Sequence, residues 1–239
     1  LTLTIDQNIQ FAAETALRAA AEESHCTSGT VVVLRAGSNE ILALANYPGY
    51  DPNERAGGDL SVRANLAVTS PVEPGSVFKT ITIAGALDAG KVQASTPINC
   101  FNGAFSMYGR IIREAKGGYG TMPVSAVYAK SSNIGAIQVA LRLGDTAFYD
   151  YIRAFGLGAR TGVPLPGETP GRVWPVPRWG KTSIASMAMG HEVSASALQL
   201  ATAASVLANG GMWIQPQLVL RQERAGGGVV PRPAAVARR

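Results

Sequence analysis

Ser76 and Lys79 stand three residues apart in Glu73-Pro74-Gly75-Ser76-Val77-Phe78-Lys79, the only Ser-x-x-Lys of the chain. On a helix that spacing brings a hydroxyl and an amine to one face, close enough to touch. Serine is a weak nucleophile until a neighbour takes its proton. Lysine can take it when apolar surroundings and the positive end of a helix depress its pKa. The chemistry this pair can do is acyl transfer through an active serine. Taken alone, it reads equally as a serine capping a helix beside a solvated lysine. The stretch Lys130-Ser131-Ser132-Asn133-Ile134-Gly135 holds the only Ser-x-Asn. It falls between two predicted helices, where a tight turn can point Ser131 and Asn133 the same way. Ser and Asn are also favoured as ordinary turn and cap residues. In a chemical role Ser131 relays a proton and Asn133 holds a substrate amide.

These residues need elements to position them. Residues 1–5 alternate as a strand does, and Asp6 is placed to cap an Ala-rich helix to about Glu23, with Ile9, Ala13, Ala16, Leu17 and Ala20 on one face. Residues 29–34 and 41–45 are apolar runs joined by Ala36-Gly37-Ser38-Asn39, a hairpin signal. Residues 46–60 read as loop, broken by Tyr47-Pro48-Gly49 and Gly57-Gly58. The Pro74-Gly75 break then opens an apolar helix that carries Ser76 in its first turn and stops at Gly90. Residues 91–120 read as irregular with short strands such as 110–113. Helices follow at 124–130, 134–143 and 146–155, with Gly144 and Gly156 as stops. Residues 156–180 form a Gly/Pro-rich loop, Ser194 or Ser196 caps a late helix ending at Asn209-Gly210-Gly211, and residues 212–220 read as one strand. Mixed strands and helices around an antiparallel hairpin favour an α+β sandwich, an antiparallel sheet flanked by helices, over a βαβ fold. The expected organisation is one domain over residues 1–224 and a low-complexity, disordered tail over 225–239.

Composition excludes several classes. A chain of 239 residues with 46% hydrophobic and 15% charged residues is globular. The net charge of +5 owes much to five arginines in the last nineteen residues, and no basic stripe interleaves with aromatics, so nucleic acid is not an expected partner. Two histidines, His25 and His191, and two cysteines form no metal-ligand cluster. Cys26 and Cys100 read as small buried hydrophobes, with a single bridge between them left open. No apolar run reaches the roughly 18 residues that span a bilayer. His191 and Glu192 are neighbours, which point apart on any regular element, and read as structural or solvated. Asp88, Glu114, Asp145 and Asp150 show no paired-carboxylate logic. Tyr149, Tyr151 and Phe155 are spaced as a helical core stripe.

Glu-Pro-Gly-Ser-x-Phe-Lys at 73–79, followed 55 residues after Ser76 by Ser-Ser-Asn-x-Gly at 131–135, resembles the transpeptidase domain of the penicillin-binding proteins, whose motif set includes both elements. The resemblance runs through Thr4-Ile5-Asp6-Gln7-Asn8-Ile9-Gln10, through Glu40 to Pro48 with Asp51-Pro52-Asn53, and through Gly190-His191-Glu192-Val193-Ser194 to Gly211. Ala45-Asn46-Tyr47-Pro48 and Ala67-Val68-Thr69 look like the class B, monofunctional branch. The resemblance implies a D,D-transpeptidase that cross-links peptidoglycan. Neutral Lys79 takes the proton of Ser76, Ser76 attacks the penultimate D-Ala of a stem peptide ending in D-Ala-D-Ala, Ser131 relays a proton to the leaving D-Ala, and Asn133 orients the peptide amide. β-Lactams acylate Ser76, and no metal or organic cofactor is needed. The family also implies a membrane glycosyltransferase partner and a periplasmic location, on the outer face of the bacterial plasma membrane, with an N-terminal anchor outside this chain.

The sequence departs from the family at its third motif. No Lys-Thr-Gly or Lys-Ser-Gly occurs, and Lys181-Thr182 continues to Ser183 ahead of the late helix, where it reads as loop. The expectation is truncation: a piece of a longer protein, beginning at Leu1 and stopping before the final strands, and of doubtful activity alone because one oxyanion donor typically contributes ~10² to 10³ in rate. The alternatives on the same scaffold are a β-lactamase or D,D-carboxypeptidase, or a penicillin-sensor-like binding domain without catalysis.

Overall fold

The computed structural model describes residues 1–51, 53, 60–224, 226–230 and 234–238, without the side chains of residues 60 and 61. Pro52, the Gly57-Gly58 breakers and the tail positions Ala225, Arg232 and Arg239 lie outside the described residues. In chain order the elements are β1 (Thr2–Leu3), α1 (Gln7–Ser24), β2 (Gly29–Leu34), β3 (Ile41–Tyr47), α2 (Leu66–Thr69), α3 (Lys79–Asp88), β4 (Pro97–Asn99), β5 (Ala104–Met107), β6 (Arg110–Arg113), β7 (Thr121–Pro123), α4 (Val124–Ala129), α5 (Asn133–Leu143), α6 (Asp145–Ala154), α7 (Ser183–Ala188), α8 (Ala197–Ala208), β8 (Trp213–Ile214), β9 (Val219–Glu223), β10 (Val229–Val230) and β11 (Ala237–Arg238). The chain is α+β, with antiparallel pairings throughout the named strands. Within the chain the backbone forms two compact units. One comprises Leu1–Val72, Ala159–Gly171 and Ala195–Arg239, and the other Glu73–Gly158 and Arg172–Ser194.

The first unit is built on the predicted hairpin. β2 and β3 pair from Gly29↔Tyr47 to Leu34↔Ile41, and the ladder passes over Leu42 between Val33↔Ala43 and Leu34↔Ile41. Alternation sets Val31, Val33, Ala43 and Ala45 against Ile9, Ala13 and Leu17 of α1. The other face sets Val32, Leu34 and Leu44 against Val68 of α2, Val163 and Leu198 of α8, and the skipped residue lets Ile41 join them. Helices therefore cover both faces of the hairpin. α1 begins as expected, with the Asp6 carboxylate accepting from the N–H groups of Asn8 and Ile9. Ser196, one of the two serines proposed to cap α8, does so through a reciprocal capping box with Gln199.

Residues 212–220 form two strands instead of one, because Pro216 lies between β8 and β9 and has no N–H to donate to a ladder. Where composition predicts a disordered tail from residue 225, the described residues include β10 on β9 and β11 on β8. Strand edges accept any backbone that reaches them, and composition does not register that. Both thiols are free, and the expectation of two buried cysteines holds for Cys100 alone, since Cys26 is exposed.

The second unit centres on α5, where Ile134, Gly135, Ala136, Ile137, Val139, Ala140 and Leu143 are all buried. α3 packs on it, burying Lys79, Ile81, Thr82, Ile83, Gly85 and Ala86. A side chain on Gly85 would stand 2.8 Å from the Tyr151 ring of α6, so glycine lets these helices close. The core stripe of α6 is Phe148, Ile152 and Phe155, one position away from the predicted tyrosines, which are only half-buried. α7 has no counterpart in the sequence reading. All six of its residues are buried and it packs on α5. A six-residue helix buried on every side, its two serines included, shows no amphipathic periodicity to read.

Candidate active site

Ser76 sits on a tight 3-10 turn, Gly75–Phe78, that runs directly into α3. Gly75 at φ +56° makes the entry, a left-handed conformation that glycine takes at no steric cost. Gly90 at φ +65° stands just past the helix, as predicted. Lys79 follows the turn as the first residue of α3, three positions after Ser76. Phe78 anchors the turn: it is 1% exposed and packs edge-on against Phe148, with ring centroids 6.1 Å apart. Ser76 is exposed while Lys79 is only 2% exposed, so the hydroxyl faces solvent and the amine faces inward.

Lys79 Nζ donates to Ser131 O at 2.6 Å, Ser131 Oγ at 3.1 Å and Asn133 Oδ1 at 2.7 Å. The two sequence motifs thus meet at one nitrogen. Three of the four predicted residues form a single cluster. Ser76 is one helical turn away, and among the described residues none of these three bonds goes to its hydroxyl.

The turn between α4 and α5 explains how Ser131 reaches Nζ twice. Its φ is +51°, left-handed and uncommon outside glycine, and its carbonyl and hydroxyl both lie within hydrogen-bond distance of the amine. The adjacent serine does different work. Ser132 is fully buried, and its Oγ accepts from Gly135 N–H at 2.9 Å to cap α5. Gly135 is needed for packing, since a Cβ there would meet Val127 Cγ1 at 2.6 Å and Ser132 Oγ at 2.9 Å.

Glu114 is the site residue that sequence reasoning missed. It follows β6, and its carboxylate accepts from the Ser132 hydroxyl, from Asn133 N–H at 2.7 Å and from Ile134 N–H at 3.2 Å. A carboxylate at a helix N-terminus is stabilised by the unpaired N–H groups there. It therefore fixes the first turn of α5, from which Asn133 reaches Lys79. Burial pushes the Lys79 amine below the ordinary lysine value, and the charge of Glu114 partly opposes that shift. A buried amine with a depressed pKa beside a serine is equipped to act as a base.

The residues set aside at the sequence level fall as follows. His191 Nδ1 lies 3.0 Å from Glu73 Oε2, and Glu192 N–H donates to Glu73 Oε1 at 3.0 Å. Lys181 and Thr182 form a turn that leads into α7, in agreement with a loop reading. Asp88 accepts from the Tyr151 hydroxyl at 2.7 Å, which helps push that phenol up to about 12. Among the described residues no three His, Cys, Asp or Glu side chains cluster as a metal site, and no helix is long and apolar enough to cross a membrane.

Comparison with known proteins finds relatives over most of the chain. Residues 29–234 match the family model described as the penicillin binding protein transpeptidase domain. The probable peptidoglycan D,D-transpeptidase PenA of Neisseria gonorrhoeae is 38% identical over 212 residues, covering 89% of this chain and 36% of that protein. Penicillin-binding protein PbpB of Mycolicibacterium smegmatis is 35% identical, covering 91% of this chain and 34% of that one. The chain thus spans about a third of the length of these curated relatives. Among solved structures, penicillin binding protein 3 of Mycobacterium tuberculosis in complex with aztreonam superposes with a TM-score of 0.90 at 32% identity, covering 98% of this chain and 53% of that one. The transpeptidase domain of Burkholderia pseudomallei penicillin-binding protein 3 gives 0.82 at 31% identity, covering 96% and 64%. With most of its length matched by that family model, the chain belongs to the transpeptidase domain family of the penicillin-binding proteins, in the class B branch.

Proposed function

We propose that the protein carrying this chain is a peptidoglycan D,D-transpeptidase that works through a Ser76 acyl-enzyme and is acylated by β-lactams. The observation that carries this reading is the Lys79 amine, buried one turn from Ser76 and bonded to both Ser131 and Asn133. Neutral Lys79 takes the Ser76 proton as Ser76 Oγ bonds to the carbonyl carbon of the penultimate D-Ala. The C–N bond to the terminal D-Ala breaks, and its nitrogen receives the proton from Lys79 through the Ser131 hydroxyl. The amine of a second stem peptide then attacks the ester carbonyl carbon and gives up its proton to the same base, which passes it to Ser76 Oγ as the ester C–O bond breaks. Asn133 Oδ1 is engaged by Lys79 and its Nδ2 donates to Arg113 O at 3.3 Å, which leaves one Nδ2–H for the substrate. The strands to be cross-linked are lipid-linked polymers outside the plasma membrane, so a membrane glycosyltransferase is the expected partner and the periplasmic face the expected location.

Intact-protein mass spectrometry with a penicillin tests this reading. A persistent adduct on Ser76, absent from Ser76→Ala, is expected. Prompt turnover of the drug would instead favour a β-lactamase or carboxypeptidase, and no adduct at all would leave a domain without acylation chemistry. Release of D-Ala from a stem peptide in the presence of an acceptor amine distinguishes a transpeptidase from a sensor.

A further inference from the structure

A turn more than a hundred residues downstream is pressed against the segment that leads to Ser76. Gly75 N–H donates to Gly190 O at 3.1 Å. Gly190 has φ +85°, and a Cβ built on it would stand 2.0 Å from Gly75 O, so only glycine fits. The Glu73 carboxylate spans the next two residues of the turn, with Oε2 3.0 Å from His191 Nδ1 and Oε1 accepting from Glu192 N–H at 3.0 Å. Glu192 holds φ +59°, a costly conformation for a side chain of its size. That strain is kept by the bond to Glu73 and by the anchorage of the turn, because Gly190 N–H donates to Met187 O and His191 N–H to Ser186 O, both in α7.

α7 is fully buried and packs on α5, whose first residue is Asn133. One support therefore runs from the Ser131–Asn133 turn through α5 and α7 to residues 190–192, and from there through Glu73 and Gly75 to Ser76. We propose that the Glu73–His191 contact is a latch that holds the Ser76 turn in register with the Lys79–Ser131–Asn133 cluster, which makes His191 a positioning residue for acylation. The inference rests on the reading of Ser76 as the nucleophile. Both partners are about half exposed, and exposed ion pairs contribute little to global stability. A misplacement of about 1 Å at a reacting atom, in contrast, can cost about 10²-fold in rate. The latch should therefore show itself in rate and scarcely at all in stability. The hydrogen bond to His191, then that from Glu192 N–H and the nearby charge of Arg172, hold the Glu73 carboxyl below its usual range.

The test uses the intact protein, a fluorescent penicillin and time courses at several drug concentrations, which separate the dissociation constant of the initial complex from the acylation rate constant. His191→Ala should lower the rate constant roughly tenfold, while the dissociation constant stays within about twofold and Tm within about 2 °C. His191→Gln, whose amide N–H can reach Glu73, should restore most of the rate. Glu73→Gln, which keeps one acceptor for Glu192, should also slow acylation, and adding His191→Ala to it should cost little more. Wild-type acylation kinetics in both single variants would overturn the latch alone, as would a rate loss that follows Tm and is not restored by glutamine. A wild-type protein that is never acylated at Ser76 would overturn both the latch and the reading beneath it.

Discussion

Lys79 Nζ touches three oxygens. An ammonium has three N–H bonds to give them, whereas a neutral amine has two and a lone pair. To act as a base the amine must free one contact, and of the three partners only the Ser131 hydroxyl can turn from acceptor to donor. In the proposed mechanism Ser131 is therefore the partner suited to relay the proton. Burial lowers the pKa of the Lys79 nitrogen, and the charge of Glu114 partly opposes it. Replacing Glu114 by Gln removes the opposing charge, so the Lys79 pKa falls further and the amine is neutral at lower pH. The acid limb of the pH profile for acylation should therefore move to lower pH, with about 1–2 kcal/mol lost in stability from the weakened cap. Acylation rates measured across pH check this, and a limb that stays in place would contradict the role given to Glu114. Ser76, Lys79, Ser131 and Asn133 stood out in the sequence as candidates because two short motifs of reactive types occur together in matching contexts. Glu114 did not, because a carboxylate that reaches a helix from the end of a distant strand leaves no spacing to read.

At the scale of elements, the site depends on the turn that joins α4 to α5. Gly135 lets α5 rest on Val127 of α4, and the left-handed Ser131 makes the corner. Gly135→Ala should force the helices apart, destabilising the protein by about 1–3 kcal/mol and slowing acylation. Adding Val127→Ala makes room for the new methyl and should recover part of both losses. Thermal melts and penicillin labelling of the two variants check it, and a double variant no better than the single would show that the clash is elsewhere. Elements with a chemical start signal were readable, as Asp6 before α1 and Ser196 with Gln199 on α8 illustrate. α7 lacked amphipathic periodicity because tertiary contacts bury every side of it. β8 and β9 were merged because a run of apolar residues does not show which backbone groups find a partner.

At the scale of the whole molecule, burying Lys79 puts a functional cost into the stability of the fold. Its folded pKa lies below the unfolded value of 10.5. Between those two values the unfolded chain binds more protons than the folded one, so stability rises with pH across that window. The stability of wild type relative to Lys79→Met should therefore increase as pH is raised from neutrality towards 10.5, by at most about 1.4 kcal/mol per pH unit. Denaturant unfolding at a series of pH values, followed by the fluorescence of Trp174 and Trp179, measures it, and a difference that is flat or falling with pH would mean that the amine is not desolvated. By itself the sequence determined the family, because its motifs stand in matching contexts along most of the chain, and it named Ser76, Lys79, Ser131 and Asn133 as candidates. Only the tertiary structure decided that Ser131 meets Lys79 with two oxygens, that Ser132 caps a helix, that Glu114 holds the first turn of α5 and that Glu73 lies against His191. Those roles depend on where separate segments of the backbone are brought together, and close packing in three dimensions is not written in residue spacing along a chain.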